Sequence, residues 1–369
     1  MLAAGCGGGQ ELTLAVAVLP SELPVYRAAV ADFERASGRH VVVVPQQYAD
    51  IRRALAAERA ARRGTLDLVE LDVYSLAAAA RDVAVLSRAD VADLLDELDP
   101  AAVRAGTVDG LRFLPHRVSW QALIYDHAVL GNPPATWDEL LAVARSHPGK
   151  IGFKGARYEG LTCDVLPFVW AAGGRGDVLD DAGAIAAFRL FAALAPYLHP
   201  ESATMKEPAI AEAMARGELV LHLNWPFVMS LYASQGLSPD PIRSAPLPRG
   251  PAGRATVLGG GYLALPANAP HREEALALAR HLLGRDAQER FARELGWFSA
   301  RRDVAVEAGG AALGGFAAMR DVVRPRPERA DYPLISRQWQ EAFRAVAFSR
   351  TDPEAALRAA AARLASERH

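Results

Sequence analysis

The run Glu218-Leu219-Val220-Leu221-His222-Leu223-Asn224-Trp225-Pro226-Phe227-Val228-Met229-Ser230-Leu231-Tyr232 decides the fold. Leu219 to Leu223 is short, apolar and β-compatible, and Gly217-Glu218 before it is a turn signal. Asn224 is a good N-cap residue, and Pro226 falls in the first helical turn, where its missing N–H costs nothing. The run predicts a buried strand ending at Asn224 and a helix starting at once. Trp225 then stands at the carboxyl end of a strand, where open α/β sheets bind ligands. An indole there can stack on the apolar face of a sugar ring, beside the free backbone N–H groups of the helix start. Core packing is the other reading of the same residue.

The flanking sequence repeats this alternation. Leu12 to Leu19, His40 to Pro45 and Leu66 to Leu71 read as strands. The helices between them start near Pro24, with Gly38 as C-cap, and run from Ile51 to Arg63, stopped by Gly64. Ser75 is read as the cap of a further helix. Strands alternating with helices predict βαβ units and a mainly parallel sheet. Leu111 to Tyr125 breaks the rhythm with two extended segments. Thr136 and Glu139 have capping-box spacing ahead of a helix. Further helices are expected over Gly160 to Ala172, Asp181 to Ala195, Pro208 to Arg216, His271 to Leu283 and Asp286 to Leu295. A last one has Asp352 as N-cap and Pro353 in its first turn. Val257 to Leu265 reads as a strand with a glycine entry, Gly259-Gly260-Gly261. Glycines there mark a bulge or a close approach by backbone or ligand.

Length and composition set bounds. A chain of 369 residues holds two domains with their own cores. The formal charge of −2, with no basic stripe, excludes nucleic acid as an expected partner. No apolar run approaches the ~20 residues a bilayer crossing needs. The nine histidines are scattered without metal-ligand spacing, so neither a metal nor another cofactor is expected. Cys163 sits in an apolar context and reads as a small buried hydrophobe. Cys6 differs. Leu2-Ala3-Ala4-Gly5-Cys6-Gly7-Gly8-Gly9 resembles the lipobox of bacterial lipoproteins, followed by a flexible glycine tether. Ala3 stands where Leu is commoner. The resemblance implies acyl chains on Cys6 and stable anchoring to a membrane.

A set of motifs, in order, resembles the bacterial extracellular solute-binding proteins that feed sugar ABC importers. They are Leu114-Pro115 through Leu123-Ile124-Tyr125-Asp126, Pro134-Ala135-Thr136-Trp137-Asp138-Glu139-Leu140, Tyr158-Glu159-Gly160-Leu161-Thr162-Cys163, Phe168-Val169-Trp170-Ala171-Ala172-Gly173-Gly174, Asn224-Trp225-Pro226, Leu258-Gly259-Gly260-Gly261-Tyr262-Leu263-Ala264, and Arg326-Pro327 with Tyr332-Pro333. The Tyr-Glu-Gly-Leu-Thr-Cys segment with Asn-Trp-Pro is most similar to the trehalose/maltose-binding branch. The resemblance implies an α/β, two-lobed periplasmic-binding-protein fold (type II-like), each lobe a mainly parallel sheet flanked by helices, with the ligand cleft between lobes. Residues 1–10 are then the lipobox and tether, 11–115 plus 259–312 one lobe, and 116–258 plus 313–369 the other. The expected crossings lie near Pro115 to Val118, Thr256 to Gly259 and Gly310 to Phe316. Hinge closure on the ligand follows from such a fold.

The resemblance also assigns ligand-binding roles. Trp225 is the leading stacking platform, with Asn224 beside it. Glu22 and Asp72 accept hydroxyl pairs, or else act as acids near helix starts. Glu159 binds ligand or caps its helix. Arg117 and Trp120 follow the first crossing; relatives often have an aromatic at Arg117. Gly260 and Gly261 admit close backbone approach, and Tyr262 follows; many relatives carry Trp at Gly261. Trp297 and Arg302 lie in a loop where relatives often have Pro-Thr-Arg, with Arg301 the alternative. Arg326 is the candidate guanidinium fork, with an interlobe ion pair as its other reading and Arg324 as an alternate. The implied partners are a carbohydrate ligand, a membrane permease and, through Cys6, the outer face of the membrane, with the protein a monomer.

Two rivals are open. A glycosidase needs two carboxylates facing across a scissile bond, roughly 5–9.5 Å apart, and Glu22, Asp72 and Glu159 offer carboxylates. No nucleophile elbow, His-Glu-x-x-His, Gly-Lys-Ser/Thr or GxGxxG motif accompanies them, so an enzyme is not expected. A same-fold receptor for a phosphorylated polyol would gather Arg117, Arg302 and Arg326.

Overall fold

The computed structural model describes residues 11–238, 240–304, 312–329 and 331–368. The Cys6 segment lies outside the described residues, as does Gly310 of the third expected crossing.

The strands are β1 Glu11–Val16, β2 His40–Pro45, β3 Leu68–Asp72, β4 Leu114–Trp120, β5 Ala122–Asp126, β6 Ile151–Gly152, β7 Leu221–Asn224, β8 Ile242–Ala245, β9 Thr256–Ala264 and β10 Val323–Arg324. The longer helices are α1 Leu23–Ser37, α2 Tyr48–Ala61, α3 Trp137–Ser146, α4 Glu159–Ala171, α5 Ala182–Leu194 and α6 Glu207–Ala215. They continue with α7 Phe227–Ser234, α8 Arg272–Leu282, α9 Arg285–Leu295, α10 Tyr332–Ser349 and α11 Pro353–Glu367. Packing divides the chain into two compact units. Unit 1 is Met1–Val118 with Gly259–Ala308, and unit 2 is Ser119–Leu258 with Gly309–His369.

In unit 1, β2, β1 and β3 run parallel, and β9 joins β3 antiparallel with Asp72 opposite Gly261. The parallel part follows from helical crossovers. Pro24 starts α1, Gly38 ends it at φ +70°, and its buried stripe is Tyr26, Ala29, Val30 and Phe33. One core cluster packs Ala15, Ile51, Leu55, Val69, Leu71, Phe113, Tyr262 and Ala264. Gly64 does not end α2. The left-handed residue there is Arg62, at φ +52°. Gly64 serves a close approach instead: a Cβ on it would fall 1.8 Å from the Asn268 carbonyl oxygen.

Unit 2 corrects the expectation of a mainly parallel sheet. In its four-stranded sheet β6 and β7 pair parallel, but β5 runs antiparallel to both β7 and β8; β10 pairs parallel with the Thr256–Val257 end of β9. Only Gln121 separates β5 from β4, so no helical crossover sets the direction of β5. Helices α4, α5, α10 and α11 pack together. Phe153, Phe168, Phe191 and Phe343 form a ring cluster among them, with the Phe191 and Phe343 centroids 5.0 Å apart. The expected cap geometries hold at Thr136, whose hydroxyl accepts from Glu139 N at 3.3 Å, and at Asp352, whose carboxylate accepts from Ala355 N at 2.9 Å. They fail at two places. Asn224 is the last residue of β7, and α7 begins three residues later without a side-chain cap. Asp72, not Ser75, caps the turn after β3, accepting from Tyr74 N at 3.2 Å.

Candidate functional site

In unit 1 the chain brings several predicted residues together at the carboxyl end of β3. Glu22, in the loop before α1, accepts from Trp297 Nε1 at 2.8 Å and from Leu19 N at 2.7 Å. The Trp297 ring carries the Arg117 guanidinium, whose carbon lies 3.9 Å from the ring centroid. Arg117 Nη2 donates to Glu70 at 3.1 Å, to the Tyr48 hydroxyl at 3.0 Å and to the Ala17 carbonyl. Glu70 is fully buried and also meets His116 Nδ1 at 2.8 Å. Burial opposes its ionisation, but the Arg117 charge and the His116 hydrogen bond outweigh that and hold its carboxyl below the usual range. Gly261 lies against Glu70, and Gly260, at φ +150°, lies against the Arg117 carbonyl. Asp72 is half-buried at the strand end.

Two unit 1 candidates stand apart. Tyr262 is fully buried in the core, and its hydroxyl donates to the Ala102 carbonyl at 3.1 Å. Arg302 is exposed and donates to the Asp96 carbonyl. Its neighbour Arg301 is buried and paired with Asp303 at 2.8 Å.

In unit 2, Trp225 follows β7 directly and is half-buried, its ring centroid 5.9 Å from Lys154 Nζ. The Asn224 amide oxygen accepts from Trp225 N at 2.9 Å, while its buried Nδ2 has no partner among the described residues. Beneath them Lys154, fully buried, pairs with the equally buried Asp164 at 2.7 Å and donates to the Leu223 carbonyl at 3.3 Å. Gln121 donates to Asp164 at 3.1 Å. Glu159 opens α4 and accepts from Arg326 Nη1 at 2.9 Å, from Ser336 at 2.6 Å and from the Tyr332 hydroxyl. Arg326 is therefore paired inside its own unit. Trp120 is buried and donates to the Phe316 carbonyl at 2.7 Å. Arg324 is exposed on β10.

Glu70, Tyr48, His116, Lys154 and Asp164 escaped the sequence reading. A signal existed for two of them. Glu70 interrupts the apolar strand Leu68-Val69-Glu70-Leu71, and Asp164 interrupts an apolar helix; a charge in such a setting must be paired. Among the described residues, no group of three or more His, Cys, Asp or Glu can hold a metal ion. No described helix is long and apolar enough to cross a membrane.

This architecture matches known proteins over nearly the whole chain. A solved maltose-bound MalE3 of T. maritima superposes with a TM-score of 0.85 at 28% identity, covering 96% of this chain and 99% of that one. A Thermotoga lettingae ABC transporter solute-binding protein bound with α-D-tagatose gives 0.86 at 23% identity, over 97% and 99% of the two chains, a likeness of fold. A probable ABC transporter-binding protein of Deinococcus radiodurans is 30% identical over 279 residues. That match spans 68% of this chain and 66% of the relative, just under two thirds of its length. The profile of one family covers residues 28–318. The chain belongs to the bacterial extracellular solute-binding protein family.

Proposed function

We propose that this protein is the receptor of an ABC importer that captures a neutral carbohydrate, of disaccharide or short oligosaccharide size, outside the cytoplasm and hands it to a membrane permease. The observation that carries the reading is the composition of the unit 1 group. Acceptor carboxylates on Glu22 and Asp72 stand with one guanidinium, on Arg117, whose charge Glu70 already balances. Sugar hydroxyls need such paired acceptors and donors, and a hydroxyl left unpaired when buried is costly. The maltose-bound MalE3 supports the same ligand class. The phosphorylated-polyol rival loses support, since Arg117 and Arg326 each have a carboxylate partner and Arg302 is exposed. The family consists of binding proteins, not enzymes.

In this reading Trp225 is the stacking platform, and Glu22, Asp72, Arg117, Asn224, Gly260, Gly261 and Arg326 contribute polar contacts or close backbone. Trp120, Tyr262, Trp297 and Glu159 support their neighbours from within. Cys6 carries the lipid anchor of a monomeric receptor.

The test is thermal unfolding with trehalose, maltose, maltotriose, monosaccharides and a phosphorylated polyol. Ligand at ~100 times its Kd adds about 2.7 kcal/mol, a visible shift in Tm. A shift with one neutral sugar, lost in Trp225→Ala, supports the reading. A shift with the phosphorylated compound alone overturns it. For the anchor, Cys6→Ala in the secreted precursor should release the protein from membranes.

A further inference from the structure

The Arg117 side chain is held at one end only. Among the described residues its hydrogen bonds, to Ala17, Tyr48 and Glu70, all come from Nη2. Among the described residues, Nε and Nη1 have no hydrogen-bond partner, and the side chain is 15% exposed. The guanidinium carbon lies over the Trp297 ring, 3.9 Å from its centroid. Trp297 itself is only 8% exposed, and Phe291 and Tyr26 lie at 5.2 and 6.1 Å from it. Its indole offers no open stacking face within this unit.

Glu70 fixes this pose. It has no exposure, and the His116 ring, the Ala17 N–H, Tyr48 and Arg117 surround its two oxygens. Gly261 leaves room for it: a Cβ at that position would lie 2.0 Å from Glu70 Oε1 and 2.8 Å from the Tyr48 hydroxyl.

We propose that Arg117 is the specificity-determining group of unit 1, with Glu70 and Tyr48 as the positioning residues that lay it on Trp297 so that Nε and Nη1 meet a pair of adjacent ligand hydroxyls. This rests on the carbohydrate reading and deepens it. A guanidinium is a planar fork that suits paired acceptors, and its order here costs the ligand little because the fold has already imposed it. Lysine cannot substitute, being a point donor on a flexible stem. Because Glu70 balances the charge, the group selects oxygen pairs without demanding an anion.

The experiment is calorimetric titration of the whole protein with maltose, trehalose, maltotriose and glucose. Losing a hydrogen bond from a charged donor should weaken the best of these by about tenfold or more in Arg117→Lys and in Arg117→Ala. Glu70→Gln should weaken it similarly, and Glu70→Gln with Arg117→Ala should be no weaker than Arg117→Ala alone, because Glu70 acts through the arginine. Should Glu70→Gln fail to fold, Tyr48→Phe serves in its place and should weaken binding measurably, again with no further effect once Arg117 is Ala. Arg117→Ala within about twofold of wild type overturns the proposal, as do losses that simply add in the double variant. Wild type that titrates with none of the sugars overturns the carbohydrate reading and this proposal with it; wild type that binds beside unaffected variants overturns this proposal alone.

Discussion

The Arg326 guanidinium and the Glu159 carboxylate meet at 2.9 Å, and the same carboxylate also takes the hydroxyls of Tyr332 and Ser336. Arg326 is only 6% exposed. Removing the acid leaves a buried cation whose principal counter-charge is gone. Glu159→Ala is expected to destabilise the protein by about 3–5 kcal/mol. Urea unfolding measures it, and a loss below about 1 kcal/mol would mean that the pair is solvated in solution.

The Lys154–Asp164 pair makes a contrasting case, because both partners are fully buried. Lys154→Met alone strands Asp164 and should cost about 3–5 kcal/mol, while Lys154→Met with Asp164→Leu should recover most of that. Chemical denaturation of the three proteins tests this. A double variant as unstable as the single one would show that the Leu223 and Gln121 contacts, not the ion pair, dominate.

His222 gives unit 2 an acid sensitivity. Burial pushes its imidazole down to about 3, and it is fully enclosed with its Nε2 3.1 Å from the Tyr232 hydroxyl. The unfolded chain binds a proton near the ordinary value of 6.5. Below that pH the unfolded state gains protons that the native state refuses. Stability from this group is therefore complete above about pH 6.5 and falls towards pH 3, by up to about 1.4 kcal/mol per unit. Unfolding free energies measured across that window should have a shallower slope in His222→Gln.

Gly64 should tolerate no side chain. A Cβ there would sit 1.8 Å from a backbone oxygen that belongs to the Asn268 turn. Gly64→Ala forces one of two backbones to move and should cost about 1–3 kcal/mol, whereas Gly149→Ala has only its φ of +78° to contend with and no neighbour within 4 Å. Melting the two variants side by side distinguishes crowding from backbone strain.

Much of the architecture was legible because it depends on local signals. The strand at His40 to Pro45, the helix stop at Gly38 and the caps at Thr136 and Asp352 are written in adjacent residues. The direction of β5 was not, because it depends on which remote strands it pairs with. Asn224 misled for a related reason: its side chain satisfies the Trp225 N–H, and the helix starts later. The candidate group was half legible. The family resemblance points to Glu22, Trp297 and Arg117, and the three side chains lie together. Glu70 and Tyr48 sit in segments far from those motifs and reach the group only through the β1–β3 sheet and the start of α2.

Strand β9 begins in unit 2 at Thr256 and continues in unit 1 from Gly259, where it completes the sheet beside β3. Synthesis thus runs through all of Ser119–Leu258 before the first unit receives its last central strand, and unit 2 awaits α10 and α11, which follow β9 in the chain. A ribosome-bound or proteolytic N-terminal fragment, wherever it is cut before β9, holds neither finished. Both units share a late point of completion, so their folding rates are tied to contacts of long sequence separation and should respond together to any change that delays the second half of the chain.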